Sequence, residues 1–229
     1  MKVLIIAGGL GTRLGQLTPN QPKSLVQILS RPFIEYQFYF LRNSSVINVV
    51  LCLGYQGQQI ADYCSDGRKF GINLKYSFEN KPLDVAGAIR LAEPILQQYF
   101  FMLYGDSYVS LNFKDMIASM REMQSLRAMA AYQNHDSFDK SNTAVADGYV
   151  TYYSKEKRGN LKYIDYGVNL FRQEVLKLIP EAKPYSMGAL FSQFIERGEL
   201  LAHEVKKRFY EIGSVNGLTE FTEDVRGRI

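Results

Sequence analysis

Short apolar runs recur along the first hundred residues, separated by stretches of helical period. Residues 3–7, 46–53, 72–78 and 100–104 are near-continuous in β-branched, leucine and aromatic side chains, the pattern of strands covered on both faces. Between them, apolar positions fall at helical spacing over residues 32–42, 56–64 and 84–97. Pro32 suits a first helical position, and Asp84 suits an N-cap. Alternating strand and helix requires crossovers, so the pattern predicts a mostly parallel sheet.

Beyond about residue 107 the pattern loosens. A helix is predicted over 114–123, strands over 129–133, Tyr149–Tyr153 and 163–171, then a helix over 186–196, a strand over 203–212 and a helix over 215–225. No internal repeat, low-complexity tract or Pro- or Ser-rich linker divides the chain. One α/β domain over 1–229 is expected, with an antiparallel or mixed addition in its second half.

Composition narrows the partners. The net charge is +4, but Lys and Arg are scattered and the longest basic run is Lys206–Lys207–Arg208. A nucleic-acid groove needs cations concentrated on one face, so no nucleic-acid partner is expected and a small anionic ligand suits the excess. A solvated surface without a partner is equally compatible with the charge alone. Two cysteines, Cys52 and Cys64, are too few for a disulfide framework or a zinc site. With no signal-peptide pattern and no apolar run of spanning length, a cytoplasmic protein without a membrane partner is expected.

The candidate chemistry begins after the first strand, in Ala7-Gly8-Gly9-Leu10-Gly11-Thr12-Arg13-Leu14, followed by Pro22-Lys23-Ser24. A dinucleotide fingerprint needs a third glycine where Leu14 stands, and the ATPase phosphate loop has a different spacing. Glycines nonetheless let backbone N–H groups curl around phosphate oxygens. Arg13 adds a permanently charged planar fork and Lys23 a mobile point charge, enough to neutralise a triphosphate. The plain alternative is a glycine-rich turn with two surface cations.

With GGLGTRL and PKSL, the chain resembles the sugar-phosphate nucleotidylyltransferases, which join a nucleoside triphosphate to a sugar 1-phosphate and release pyrophosphate. YGDS places Asp106 directly after an apolar strand, where the carboxyl end of a strand meets a ligand crevice. PLDVAGAI resembles the family's base-binding turn, with Glu79 upstream, and departs from it at Asp84 and Val85. YYSKEKRGNLKYIDYGVNLF resembles the sugar-phosphate segment, and FYEIGSVNGLTEF the element carrying a second metal-binding acid, here Glu211 in place of Asp.

The resemblance spans residues 3 to about 222 and implies a Rossmann-like three-layer α/β sandwich with a mostly parallel mixed sheet. It implies a nucleotide-binding half over about 1–110 and a sugar-phosphate half over about 111–229. Arg13, Lys23 and Asp106 are the implied catalytic residues. Ala7, Gly8, Gly9, Gly11, Thr12, Glu79, Ala86 and Gly87 are the implied nucleotide contacts, and Lys155, Asp165 and Gly167 the sugar-phosphate contacts. Asp106 and Glu211 would hold Mg²⁺, a hard cation satisfied by one or two carboxylates with phosphates and water. Such transfer asks mainly for positioning and charge neutralisation, which suits a chain with two histidines.

The implied partners are a nucleoside triphosphate and a sugar 1-phosphate; a homo-oligomer is compatible with the sequence and not fixed by it. GTP with a manno-configured heptose phosphate leads, followed by UTP with an amino-sugar or hexose phosphate. A catalytically weak nucleotide-binding module of the same fold and a dinucleotide binder are the readings from other classes. Asp84 is read as a helix cap, and FIEYQFYFLRN as a core helix.

Overall fold

The computed structural model describes residues 1–9, 21–156 and 160–228. In chain order the elements begin with β1 (Lys2–Ile6), the two-residue strands β2 (Gln27–Ile28) and β3 (Arg31–Pro32), and α1 (Phe33–Asn43). β4 (Asn48–Leu53), α2 (Gly57–Cys64), β5 (Asn73–Phe78), α3 (Asp84–Leu91), β6 (Tyr99–Tyr104), β7 (Ser107–Tyr108) and α4 (Phe113–Glu122) follow. The second half holds β8 (Arg127–Gln133), β9 (Thr143–Ala146), β10 (Tyr149–Tyr153), β11 (Tyr163–Arg172), α5 (Met187–Glu196), β12 (Leu201–Val205), β13 (Tyr210–Glu211) and α6 (Val215–Arg226).

The main sheet runs β5-β4-β1-β6-β11-β8-β12-β10-β9. Its first four strands are parallel, β11 is antiparallel to both β6 and β8, and β12 returns parallel to β8. β1 lies between β4 and β6, which is why its sequence is apolar throughout. Val3 and Ile5 face one core layer with Ile34 and Phe38 of α1, while Leu4 faces the other with Ile89 of α3 and Phe191 of α5. Each such side chain, fully removed from water, contributes about 1.5–3 kcal/mol. Helices on both faces of a mixed sheet give three layers. A smaller cluster of Ile28, Phe33, Ile212, Phe221 and Val225 fastens α6 to the β2–β3 ribbon.

Three expectations change. The strand expected over 203–212 is two elements: β12 ends at Val205, and β13 pairs with β7 in a separate ribbon. The intervening Lys206, Lys207 and Arg208 carry the chain over the surface, where cationic side chains keep their hydration. The helix expected over 84–97 ends at Leu91 and passes into a 3₁₀ turn, Glu93–Ile95, whose Pro94 lacks the N–H an α-helix needs. Asp84 does not cap that helix. It is the first helical residue, and its carboxylate accepts the adjacent Val85 N–H rather than one a full turn on.

Candidate active site

The parallel strands deliver their carboxyl ends to one edge, and the candidate residues gather there. Gly8 and Gly9 leave β1 beside β4, after Ala7 N–H donates to the Cys52 carbonyl at 2.9 Å. Gly11, Thr12 and Arg13 lie outside the described residues. Lys23 re-enters after Pro22 on the 3₁₀ turn Lys23–Leu25. Its Nζ stands 3.4 Å from Asp106 Oδ2, with the two side chains 16% and 26% exposed. The pair therefore faces a partly desolvated crevice rather than open water.

Asp106 owes its place to a tight turn at the end of β6. Gly105 N–H donates to the Ile6 carbonyl at 2.8 Å. A Cβ on Gly105 would collide with that carbonyl oxygen, so glycine alone admits the approach. Gln37, buried on α1, donates from Nε2 to the carbonyls of Tyr104 at 3.0 Å and Ser107 at 2.8 Å. It ties both ends of the Asp106 turn to the helix. Sequence reasoning read α1 as a core helix and missed this role; the signal was a lone amide among aromatic and aliphatic neighbours.

Glu211 approaches through β13. Its partner in the ladder is Ser107, and Ile212 N–H donates to the Asp106 carbonyl at 2.9 Å. The Glu211 side chain lines a cleft of about 370 Å³ with Ser214 and Asn216. Among the described residues no three His, Cys, Asp or Glu converge as a protein-only metal cage. Mg²⁺ does not require one, because it keeps waters and takes phosphate oxygens alongside one or two carboxylates. The β7–β13 ladder joins the Glu211 backbone to the turn that carries Asp106, and both side chains are carboxylates, a donor type that Mg²⁺ takes.

A cavity of about 520 Å³ opens beside Gly8 and Gly9, lined also by Gly54, Glu79, Asp84 and Val85. Glu79 Oε2 accepts the Leu83 N–H at 3.0 Å. A Cβ on Gly54 would come within 2.5 Å of Glu79 Oε1, so the glycine makes room for the carboxylate. Burial raises the Glu79 carboxyl above its ordinary range, and the Leu83 N–H draws it back. Ala86 is buried in the core behind this wall. Gly87 turns toward the 183–185 segment, its N–H donating to the Tyr185 carbonyl at 3.2 Å.

The remaining candidates lie on β11 and just past the end of β10. Asp165 Oδ1 accepts the Gly167 N–H at 3.0 Å, where β11 shifts register against β8 between Asp165 and Asn169. Desolvation raises the Asp165 carboxyl to about 6, against the pull of the Gly167 N–H, Asn169 and the Lys155 charge. Lys155 itself is exposed. The half-buried Tyr104 phenol is raised by desolvation first, then by the charges of Asp165, Asp106 and Asp84 among others. These groups therefore share one electrostatic neighbourhood at the sheet edge.

Comparison with known proteins shows the family to which this fold belongs. A family profile described as nucleotidyl transferase matches residues 2–227. The mannose-1-phosphate guanyltransferase of Saccharomyces cerevisiae is 30% identical over 223 residues, covering 93% of this chain and 61% of the yeast protein. The chain thus spans about three fifths of that relative's length. The D-glycero-alpha-D-manno-heptose 1-phosphate guanylyltransferase of Campylobacter jejuni is 26% identical over 198 residues, covering 86% of this chain and 85% of that protein. The structure of HddC from Yersinia pseudotuberculosis complexed with GMP-PN superposes with a TM-score of 0.85 at 25% identity, covering 98% of this chain and 99% of that one. Among the described residues no helix is long and apolar enough to cross a membrane.

Proposed function

The chain belongs to the nucleotidyl transferase family, and from that premise we propose that it transfers a nucleotidyl group from a nucleoside triphosphate to a sugar 1-phosphate. An oxygen of the sugar phosphate attacks the α-phosphorus, the new P–O bond forms, and the bond to pyrophosphate breaks in line. The attacking oxygen is already anionic, so no general base is needed. The demand on the protein is to hold two anions together and neutralise the charge that moves.

The observation that carries this reading is the meeting of Lys23 and Asp106 at 3.4 Å, at the carboxyl ends of the strands and beside the glycines and the Glu79 cavity. Lys23 would bridge the α-phosphate and leave Asp106 to the metal. Arg13 would steady the departing pyrophosphate, with Gly8, Gly9, Gly11 and Thr12 cradling the phosphates from the backbone. Lys155 would hold the incoming phosphate, and Asp165 and Gly167 would border the sugar. Mg²⁺, when bound by Asp106 and Glu211, supplies neutralisation of the polyphosphate charge.

GTP is the proposed donor. The Glu79 carboxylate is an acceptor on the cavity wall, and guanine offers its N1–H and amino donors along one edge, whereas uracil offers a single N–H between two carbonyls. The guanylyl relatives and the GMP-PN complex support the same base. A manno-configured heptose 1-phosphate is the proposed acceptor, and the cytoplasm, where nucleoside triphosphates are available, the proposed site of reaction. Pyrophosphate release with Mg²⁺, each of the four nucleoside triphosphates and a panel of sugar 1-phosphates tests this. Release that requires a sugar 1-phosphate and is fastest with GTP is expected; none with any pair overturns the reading, and a preference for UTP overturns the base assignment.

A further inference from the structure

The two acids proposed for the metal are joined by a very short ribbon. β7 and β13 pair at two positions, Tyr210 with Tyr108 and Glu211 with Ser107. A two-stranded ribbon of that length does not hold its own geometry in water. Whatever fixes its ends therefore fixes the backbone from which Asp106 and Glu211 project. At one end the Ile212 N–H donates to the Asp106 carbonyl at 2.9 Å. At the other end the fixing group comes from β11.

That group is the Tyr166 hydroxyl. Tyr166 is fully buried, in the core layer of Ile164 and Val168. Its oxygen accepts the Ser110 N–H at 3.0 Å, and its single proton has two acceptors in reach, the carbonyls of Ser110 and Arg208, each at 3.3 Å. Ser110 lies just beyond β7 and Arg208 just ahead of β13, so one oxygen spans the open end of the ribbon. Burial pushes the phenol up to about 12, so it keeps its proton through the neutral range. The ring stands edge-on to Phe209 at 5.8 Å and tilted against Tyr132 at 6.4 Å, which holds the hydroxyl on these partners.

The next residue braces the same ribbon. Gly167, at φ +83°, approaches Ser107 so closely that an added Cβ would stand 3.2 Å from Ser107 Oγ. β11, the strand proposed to border the sugar, thus also supports the ribbon proposed to bind metal.

We propose that Tyr166 is a positioning residue for the metal acids: its hydroxyl, by joining Ser110 to Arg208, keeps the Asp106 and Glu211 backbones in register for a shared Mg²⁺. This rests on the chain being a metal-dependent nucleotidyltransferase. A tyrosine that only fills the core would behave differently, because loss of its hydroxyl would lower stability and leave metal affinity alone.

Tyr166→Phe keeps the ring and its packing, so it is expected to fold, with a lowered melting temperature. Mn²⁺ is titrated into protein saturated with a non-transferable analogue of the preferred triphosphate, and bound metal is read by water-proton relaxation. The expected result is about 10-fold weaker Mn²⁺ binding, the lower end of what disturbing the supports of metal ligands costs. The Mg²⁺ concentration for half-maximal pyrophosphate release should rise by the same factor. Affinity for the analogue without metal should change less than about two-fold, the base cavity being separate from the ribbon. Tyr132→Leu thins the packing beside the same ring and spares the hydroxyl bridge. It should lower the melting temperature at least as far and leave Mn²⁺ binding within about two-fold of wild type. Unchanged Mn²⁺ binding in Tyr166→Phe, or equal weakening in both variants, overturns the inference and leaves the proposed function standing. Wild-type protein inactive with every triphosphate and sugar 1-phosphate overturns the proposed function, and this inference with it.

Discussion

The side-chain amide of Gln37 donates to the Ser107 carbonyl at 2.8 Å, and the same nitrogen reaches the Tyr104 carbonyl at 3.0 Å. One buried group on α1 therefore spans the turn that carries Asp106. Replacing it by an isosteric hydrocarbon leaves buried carbonyls without that donor and frees the turn.

Gln37→Leu is accordingly expected to lower stability by about 1–3 kcal/mol, the cost of an abandoned buried polar group. It should also lower kcat while leaving the nucleotide KM nearly unchanged, because the turn positions Asp106 and does not contact the base. Urea unfolding midpoints and steady-state rates measured on one preparation check both halves. A variant of wild-type stability and rate removes Gln37 from this role.

Lys23→Ala separates function from folding. The Lys23–Asp106 pair is partly exposed, so its loss should change stability by less than about 1 kcal/mol. Removing one preorganised charge stabiliser should reduce kcat on the order of 10²- to 10³-fold. A melting temperature near wild type with turnover reduced to that extent is the expected pair of results. Unchanged turnover would refute the assignment of Lys23.

Gly105→Ala should act on folding before chemistry. The added methyl must displace the Ile6 carbonyl, part of the strand junction at the centre of the sheet. A loss of about 1–3 kcal/mol is expected, the scale of an overpacked core site. The readout is the denaturant midpoint, compared with Gly9→Ala, where a Cβ meets nothing within 4 Å.

Asp165 ties stability to pH. Its carboxyl lies at about 6 in the folded protein against 3.8 for the ordinary group. The folded state therefore binds more protons than the unfolded state between those values, and stability falls as pH rises through that window. The contribution is fully present below about 3.8 and lost above about 6. Asp165→Asn removes the titration while keeping an acceptor for the Gly167 N–H. Its melting temperature should fall less than wild type between pH 4 and pH 7; parallel profiles would show that Asp165 does not titrate in this window.

Much of the architecture was legible because strands covered on both faces leave continuous apolar runs. β1, β4, β5 and β6 emerge from such runs within about two residues at either end. β9 did not, although its hairpin to β10 turns on Asp147–Gly148, both at positive φ. That Asp-Gly pair is a strong hairpin signal and was present to be read. At the site, Lys23 stood out in the PKSL segment and Asp106 at the end of an apolar strand, and the structure brings the two together. Gln37 was not, because helical periodicity registers its burial and says nothing of its partners. Asp84 was misread for a related reason: an acid ahead of a helix resembles a cap until the backbone dihedral is known.

The cluster that fastens α6 to the β2–β3 ribbon sets an order of events during synthesis. Ile28 and Phe33 leave the ribosome early, yet the side chains that cover them, Ile212, Phe221 and Val225, are translated nearly two hundred residues later. Throughout that interval the nascent chain carries an uncovered greasy patch, beside a sheet that is completed only when β12 is made. A chain ending shortly before residue 212 would leave Ile28 and Phe33 uncovered and so prone to clump.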